Sequence, residues 1–474
     1  MAAQIGIWSG GAATGFPGTS FVSVPANTFG TTQDRNDNSA YTWNASTAAL
    51  SLPTSNLASA YLLIARVKLR ITHNNRAVGV LRFNKISGTT GTFTRTTGSG
   101  YARNNANNDI FITCAAIVIN PSNDWDIRLQ WKRDAGSGTP AGSIISTQIQ
   151  VAELKNITSA AAYLGTATDL LGGTTPNVVT LNANLTQSGN ISRSGNVVTL
   201  SGLNRKYLVI TSQYYEGRGG RTQRWVGYNL DGVQVTDGQY CIYSRDTSND
   251  MMGGYIFDIV EVGASSRTLE LTCYRGDGVL DNEGGADVDG STPTSAENGL
   301  IVLELPDHAE VFRSTDTTGA QNIENGFTPI DINGARSFDF NDSSSFTKAS
   351  DSAVNIEKNM DLFVIGNIGA AYNNVSSGTR HQKESRLTVN GTADPDIFHG
   401  NYGRGNQGSA DTFGNSFHPL GIKAVSSGDD VGFEIIDAGD NGPVSTQPNW
   451  VSFSGINLDS LDTPIVSQRR IFIT

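Results

Sequence analysis

Three of the five histidines, His381, His399 and His418, fall in the C-terminal third, with Asp394 and Asp396 between them. Imidazoles and carboxylates that converge in space can hold a transition metal. These spacings match no ligand motif, so the reading taken is solvated loop histidines. A second group, Asp277, Asp281, Glu283, Asp287 and Asp289, offers the hard oxygens that Ca²⁺ prefers. The EF-hand spacing is not met. A soluble acidic loop is expected, with a bound cation as the alternative. Gly217–Gly220 reads Gly-Arg-Gly-Gly, but no helix follows to aim N–H groups at an anion, so a hairpin tip is expected. Arg275-Gly276-Asp277 spells an adhesive tripeptide, yet Gly276 occupies a turn position that recurs along the chain. There is no Gly-x-Ser-x-Gly elbow and no phosphate loop, and nothing singles out a facing carboxylate pair. No catalytic, cofactor-binding or metal-binding residue is therefore assigned, and the chain is expected not to be an enzyme.

The elements that would position such residues read as strands. Tyr61–Val67 is a short apolar run with the look of a buried central strand. The run returns at Tyr207–Ile210 and again at Leu362–Ile365. From Tyr61 to Tyr207 is 146 positions, and from Tyr207 to Leu362 is 155. Other landmarks keep the same order. An arginine opens a strand at Arg76, Arg221 and Arg380, and a turn glycine ends it at Gly88, Gly232 and Gly391. Two of those turns are Asp231-Gly232 and Asn390-Gly391, pairs that accept positive φ and signal hairpins. A Tyr-x-Arg triplet follows each time: Tyr101 with Arg103, Tyr243 with Arg245, Tyr402 with Arg404. Both side chains of a triplet share one strand face, and packing of Arg over Tyr at an edge or interface is preferred to ligand binding. Closing strands are read at Ile144–Leu154, Leu300–Leu305 and Trp450–Leu458.

This order predicts three tandem copies of one domain, spanning 1–155, 156–306 and 307–474. The period exceeds the 20–50 residues or so of a solenoid repeat, and 474 residues suit about three domains. The fold class expected is all-β: three tandem antiparallel β-sandwiches of jelly-roll type. An immunoglobulin-like unit would be shorter and would carry a Cys–Trp–Cys spacing that is missing. Within the first copy, Gly6–Gly18 reads as irregular, with Trp8 and Phe16 as anchors, and Asn27–Ser39 as a long polar loop. Trp125, Ile127, Leu129 and Trp131 alternate onto one strand face. The tail Pro464–Thr474 reads as an added strand that docks on something.

Composition narrows the function. The net charge is −11 with no basic stripe, so neither nucleic acid nor an anionic membrane is an expected partner. The acidic surface could complement a basic protein patch. Cys114, Cys241 and Cys273 lie in apolar strand-like text and read as plain buried thiols. The start Met-Ala-Ala-Gln-Ile-Gly has neither a basic nor a long apolar stretch, so synthesis in a cytoplasm is expected.

The order of runs, led by Tyr61–Arg66 and Tyr207–Ile210 and ending in the closing apolar strands, resembles the jelly roll of the C1q/TNF-like superfamily. That resemblance implies a trimer-forming β-sandwich without catalysis. The low charge and the Gly, Ser, Thr and Asn content on cysteine-poor tandem β-domains are also similar to virion proteins of tailed bacteriophages. That likeness implies a virion protein of the capsid decoration or cement type. Its partners would be the major capsid protein and neighbouring copies of itself. The alternative is a head or tail fibre that binds host glycans through exposed aromatics such as Trp8, Tyr215 or Trp225. Three copies in one chain could close an intrachain pseudo-trimer or string along a surface.

Overall fold

A computed structural model describes the chain except residues 1–2, 11–12, 15–17, 19, 54–59, 72–76, 89–90, 103–107, 122–123, 135–141, 166–175, 218–221, 245–249, 276–286, 289–298, 317–327, 331–337, 373–379, 405–414, 438–445 and 463–474. The described strands form six antiparallel sheets, two from each of three successive stretches of chain. The protein is all-β, built as jelly-roll sandwiches. In the first stretch one sheet runs Thr32–Asn36, Ile5–Ser9, Gly142–Leu154, Ala60–Ile71, Asn108–Ile119 and Thr92–Arg95. Its partner sheet runs Gly98–Ala102, Ala77–Lys85, Trp125–Asp134, Ala49–Leu52 and Thr42–Asn44. The second and third stretches repeat this order. Arg205–Gly217 and Met360–Tyr372 stand where Ala60–Ile71 does, and Gly299–Glu304 and Thr446–Asn457 stand where Gly142–Leu154 does.

The recurrent apolar run has a specific reason to be continuous. Side chains alternate between the two faces of a strand, and here both faces are buried. Tyr61 and Leu63 enter the first sandwich, Tyr207 and Val209 the second, Leu362 and Val364 the third. The intervening residues point the other way: Leu62 and Ile64, Leu208 and Ile210, Phe363 and Ile365 all join one cluster. That cluster is a core common to the three sandwiches, to which each contributes one sheet. Phe257 and Phe363, from the second and third units, meet in it edge to face at 6.0 Å between ring centroids.

The two hairpins marked by Asp231-Gly232 and Asn390-Gly391 form with two-residue loops, Leu230 pairing Val233 and Val389 pairing Thr392. All four loop residues take positive φ, which is why a Gly stands second in each. Trp125, Ile127, Leu129 and Trp131 are buried on one face, as their alternation implies.

Two readings of the first unit need correction. Residues within Gly6–Gly18 are not all irregular: Ile5–Ser9 is a strand that pairs Gln148–Ala152. Within Asn27–Ser39, Thr32–Asn36 pairs that strand in turn. Tertiary pairing and the burial of Trp8 override a glycine-rich, polar text.

The first and second units approach at glycine. A Cβ on Gly253 would lie 2.0 Å from the Thr97 carbonyl oxygen across the junction. Ser99 Oγ accepts from Gly253 N at 3.0 Å beside it. Gly253→Ala forces backbone apart and should cost about 1–3 kcal/mol in chemical unfolding. Gly263→Ala, with open space around it, is the control and should stay within about 0.5 kcal/mol. Equal costs would show that the close approach is not needed.

Candidate functional site

Several deeply buried polar side chains gather where the three units meet. Arg66 sits in the central strand of the first unit, five places after Tyr61, and is 1% exposed. Counted by the repeat, Ser212 and Asn367 stand at the same place in the other units, and both are buried. Arg66 Nε donates to the Leu420 carbonyl of the third unit at 3.0 Å. Its Nη2 donates to Gln150 Oε1 at 3.0 Å, and its Nη1 to Gln148. Gln150 bridges to the third unit's backbone, donating to Ile422 O and accepting from Ile422 N, both at 2.9 Å. Burial lowers the Arg66 guanidinium to about 10, so it remains a cation at neutral pH. Asn367 Nδ2 donates to Phe257 O of the second unit at 2.9 Å.

Ion pairs also cross the junctions. Arg313, on the first strand of the third unit, reaches into the second. Its Nε lies 3.0 Å from Asp258 Oδ1, and its Nη2 pairs with Asp237. Tyr228 donates to Asp258 Oδ2 at 2.6 Å, and Ile259 N donates to Oδ1 at 2.7 Å. Burial alone would lower the Arg313 guanidinium. The carboxylates of Asp258 and Asp237 outweigh that and hold it well above its ordinary value. Arg35 of the first unit holds Asp361 of the third with two donors, at 2.5 and 2.7 Å. The Arg313 pairs are buried and the Arg35 pair is half-buried, so separating the units there leaves charges out of water without partners.

The residues singled out by type distribute as follows. His399 and His418 are not in solvated loops: each is only 2% exposed, and their rings lie 6.1 Å apart among Tyr240, Tyr255 and Phe417. His399 lies on the strand Thr392–Arg404 and His418 in the short link between Asn415–Phe417 and Leu420–Val425. Neighbouring units cover both, which local sequence pattern does not reveal. His381 lies in the strand Arg380–Val389. Asp394 is buried and pairs with Lys423 at 2.5 Å while accepting from Asp396 N and Ile397 N. Among the described residues no group of three or more His, Cys, Asp or Glu is placed to hold a metal.

Of the acidic loop, Asp287 has its backbone paired with Glu216, while Asp277, Asp281, Glu283 and Asp289 lie outside the described residues. Gly276, Arg218–Gly220, Arg103, Arg245 and the tail Pro464–Thr474 lie outside them too. Tyr101 is half-buried, and Tyr243, Tyr402 and Arg404 are on strands. Trp8 is buried in the first sandwich and is therefore not an exposed aromatic, and Trp225 is half-buried. The three cysteines are buried thiols outside any disulfide, and burial raises Cys114 and Cys241.

A cleft of about 240 Å³ opens between the first and third units, lined among others by Arg35, Gln150, Asp394, Asp396 and Lys423. Within it Lys423 pairs with Asp394, while Arg35 pairs with Asp361 beyond the lining. The chemistry this arrangement supports is the locking of one unit onto the next. The lock was missed in sequence, although a signal existed: a charged residue, Arg66, interrupting an otherwise apolar central strand.

No family model and no curated protein matches the chain. A solved structure described as the triple jelly roll fold and turret assembly in an archaeal virus aligns with 87% of this chain and 83% of its own. The identity is 10% and the TM-score 0.16. A superposition of that quality carries no inference, and the fold stands on the strand pairing above. Among the described residues no helix is long and apolar enough to cross a membrane.

Proposed function

We propose that the chain is a non-enzymatic structural protein of a tailed-phage virion, a capsid decoration or cement protein that clamps the major capsid protein lattice. The observation that carries this reading is the common core: one polypeptide closes three jelly rolls onto each other. Buried polar groups such as Arg66, Gln150, Asn367 and Arg313 are engaged in that closure. A block of this kind suits covering and gripping, and its closure agrees with the trimer-forming β-sandwich that the C1q/TNF-like resemblance implies. The mechanism is thermodynamic. A ligand that binds only the assembled lattice stabilises it by mass action, and about 800 Å² buried per partner is a standard patch. The glycan-binding fibre reading loses Trp8 as a contact, since that ring is buried.

The test is heat release from phage heads prepared with and without the protein. Bound protein should raise the temperature at which heads open, in proportion to occupancy. No binding to empty heads and no change in their heat stability would defeat the reading, and binding to host cells instead would favour the fibre.

A further inference from the structure

The strongest unassigned feature is the histidine pair at the junction. His418 lies 4.6 Å from Tyr240 between ring centroids and 6.3 Å from Tyr255, both of the second unit. His399 lies 6.0 Å from Tyr240. Next to it Phe398 meets Phe111 of the first unit edge to face at 4.9 Å. The pair thus sits where all three units touch. Asn367 donates through Nδ2 to Phe257 O, so its Oδ1 is the acceptor for His418 Nδ1 at 2.6 Å. That assigns the proton of neutral His418 to Nδ1. Among the described residues, its Nε2 and the Nδ1 of His399 are buried without a hydrogen-bond partner.

We propose that His399 and His418 form an acid-sensitive latch: neutral, they let the three units close on one another, and a proton on either ring opens the junction. A second proton on His418 must go to Nε2, which has no acceptor among the described residues. The described groups that face the pair give no counter-charge. Tyr240, Tyr255 and Cys241 come from the second unit and are raised by burial, so they stay neutral, and Arg66 from the first is a cation. The carboxylates on the strands packed here are engaged elsewhere. Asp237 and Asp258 hold Arg313, Asp361 holds Arg35, Asp394 holds Lys423, Asp109 holds Lys68 and Glu384 holds Arg386. Asp396 lines the cleft between the first and third units.

The sign follows from burial. His399 is lowered to about 3 and His418 well below its ordinary value, both chiefly by desolvation. An unfolded histidine titrates near 6.5. Each ring's contribution is therefore whole above about pH 6.5 and is lost as pH falls through the interval below it. At pH 4.5 the loss is about 100-fold in the folding constant per histidine, because the unfolded form is about two units past its pKa.

The experiment is equilibrium unfolding of the full chain at pH 7.5 and 4.5, for the natural protein and for His399→Phe, which keeps an aromatic ring. The variant should lose about 100-fold less on acidification. Equal losses would overturn the proposal. A variant that does not fold leaves a direct reading, ¹⁵N NMR of the histidine rings in the natural protein. Rings neutral down to about pH 5, followed by fast amide exchange at Cys241 and Phe417 ahead of Leu271 inside the second sandwich, support the latch. A ring titrating near 6.5 in the folded protein, or all three amides exchanging together, refutes it.

Discussion

Arg313→Met should destabilise the folded chain by about 3–5 kcal/mol, read from chemical unfolding at neutral pH. The arginine bridges the third unit to Asp258 and Asp237 of the second, and the Asp258 side chain is 0% exposed. Removing the cation leaves two carboxylates out of water without their partner, and breaking one side of a buried pair costs about that much. Burial already pushes the Asp237 carboxyl up, and that push goes unopposed once the guanidinium is gone. The variant should therefore also lose stability as pH rises, where the buried Asp237 must ionise. Two controls separate the pair from mere loss of packing. Asp339→Asn removes a partner that is 34% exposed on the same arginine and should cost under about 1 kcal/mol. Arg313→Met combined with Asp258→Asn should recover part of the loss, because the stranded charge is gone. A cost under about 1 kcal/mol for Arg313→Met alone would mean that this ion pair does not hold the second and third units together.

What could be read in advance is unevenly distributed, for a physical reason. The strands buried on both faces were legible, because double burial writes a continuous apolar run that repeats: Tyr61–Val67, Tyr207–Ile210 and Leu362–Ile365. The turns were legible where φ is positive, as at Gly232 and Gly391. Strands such as Ile5–Ser9 and Ser159–Gly165 were missed. Their small or glycine-rich text is set by close packing against a neighbouring strand, not by local preference. The histidines were misplaced for a related cause. His399 belongs to a strand at the edge of its own sheet, which by itself would face solvent. Its burial comes from a second and a first unit more than a hundred residues away. A single-sequence pattern reports alternation within a strand. It does not report which neighbour will cover the outer face, and so the polar seam of Arg66, Asn367 and His418 stayed hidden in apolar runs.

The second unit expressed alone, as residues 156–306, should not exist as a monomer. In the full chain its Leu208, Ile210, Tyr255, Phe257, Ile259, Ile301 and Leu303 line the common core and are each 2% exposed or less. Freed from the other units, they would form one contiguous apolar face on a single sheet, far beyond the scattered exposure that monomers tolerate. Burying such side chains is worth about 1.5–3 kcal/mol apiece. The face as a whole therefore outweighs the roughly 4–15 kcal/mol that association costs in lost freedom. Sedimentation at micromolar concentration should show a trimer or larger species, since a three-sheet core is the geometry this face is shaped for. Ile210→Asp in the fragment should convert it to a dispersed, dye-binding monomer, because a carboxylate cannot enter that core unpaired. In the full chain the same change should cost at least about 3 kcal/mol, as the other two units hold the aspartate in place where it cannot be solvated. A compact monomeric fragment that binds no hydrophobic dye would contradict the central inference, for it would mean that each sandwich completes itself and the shared core adds nothing to its stability.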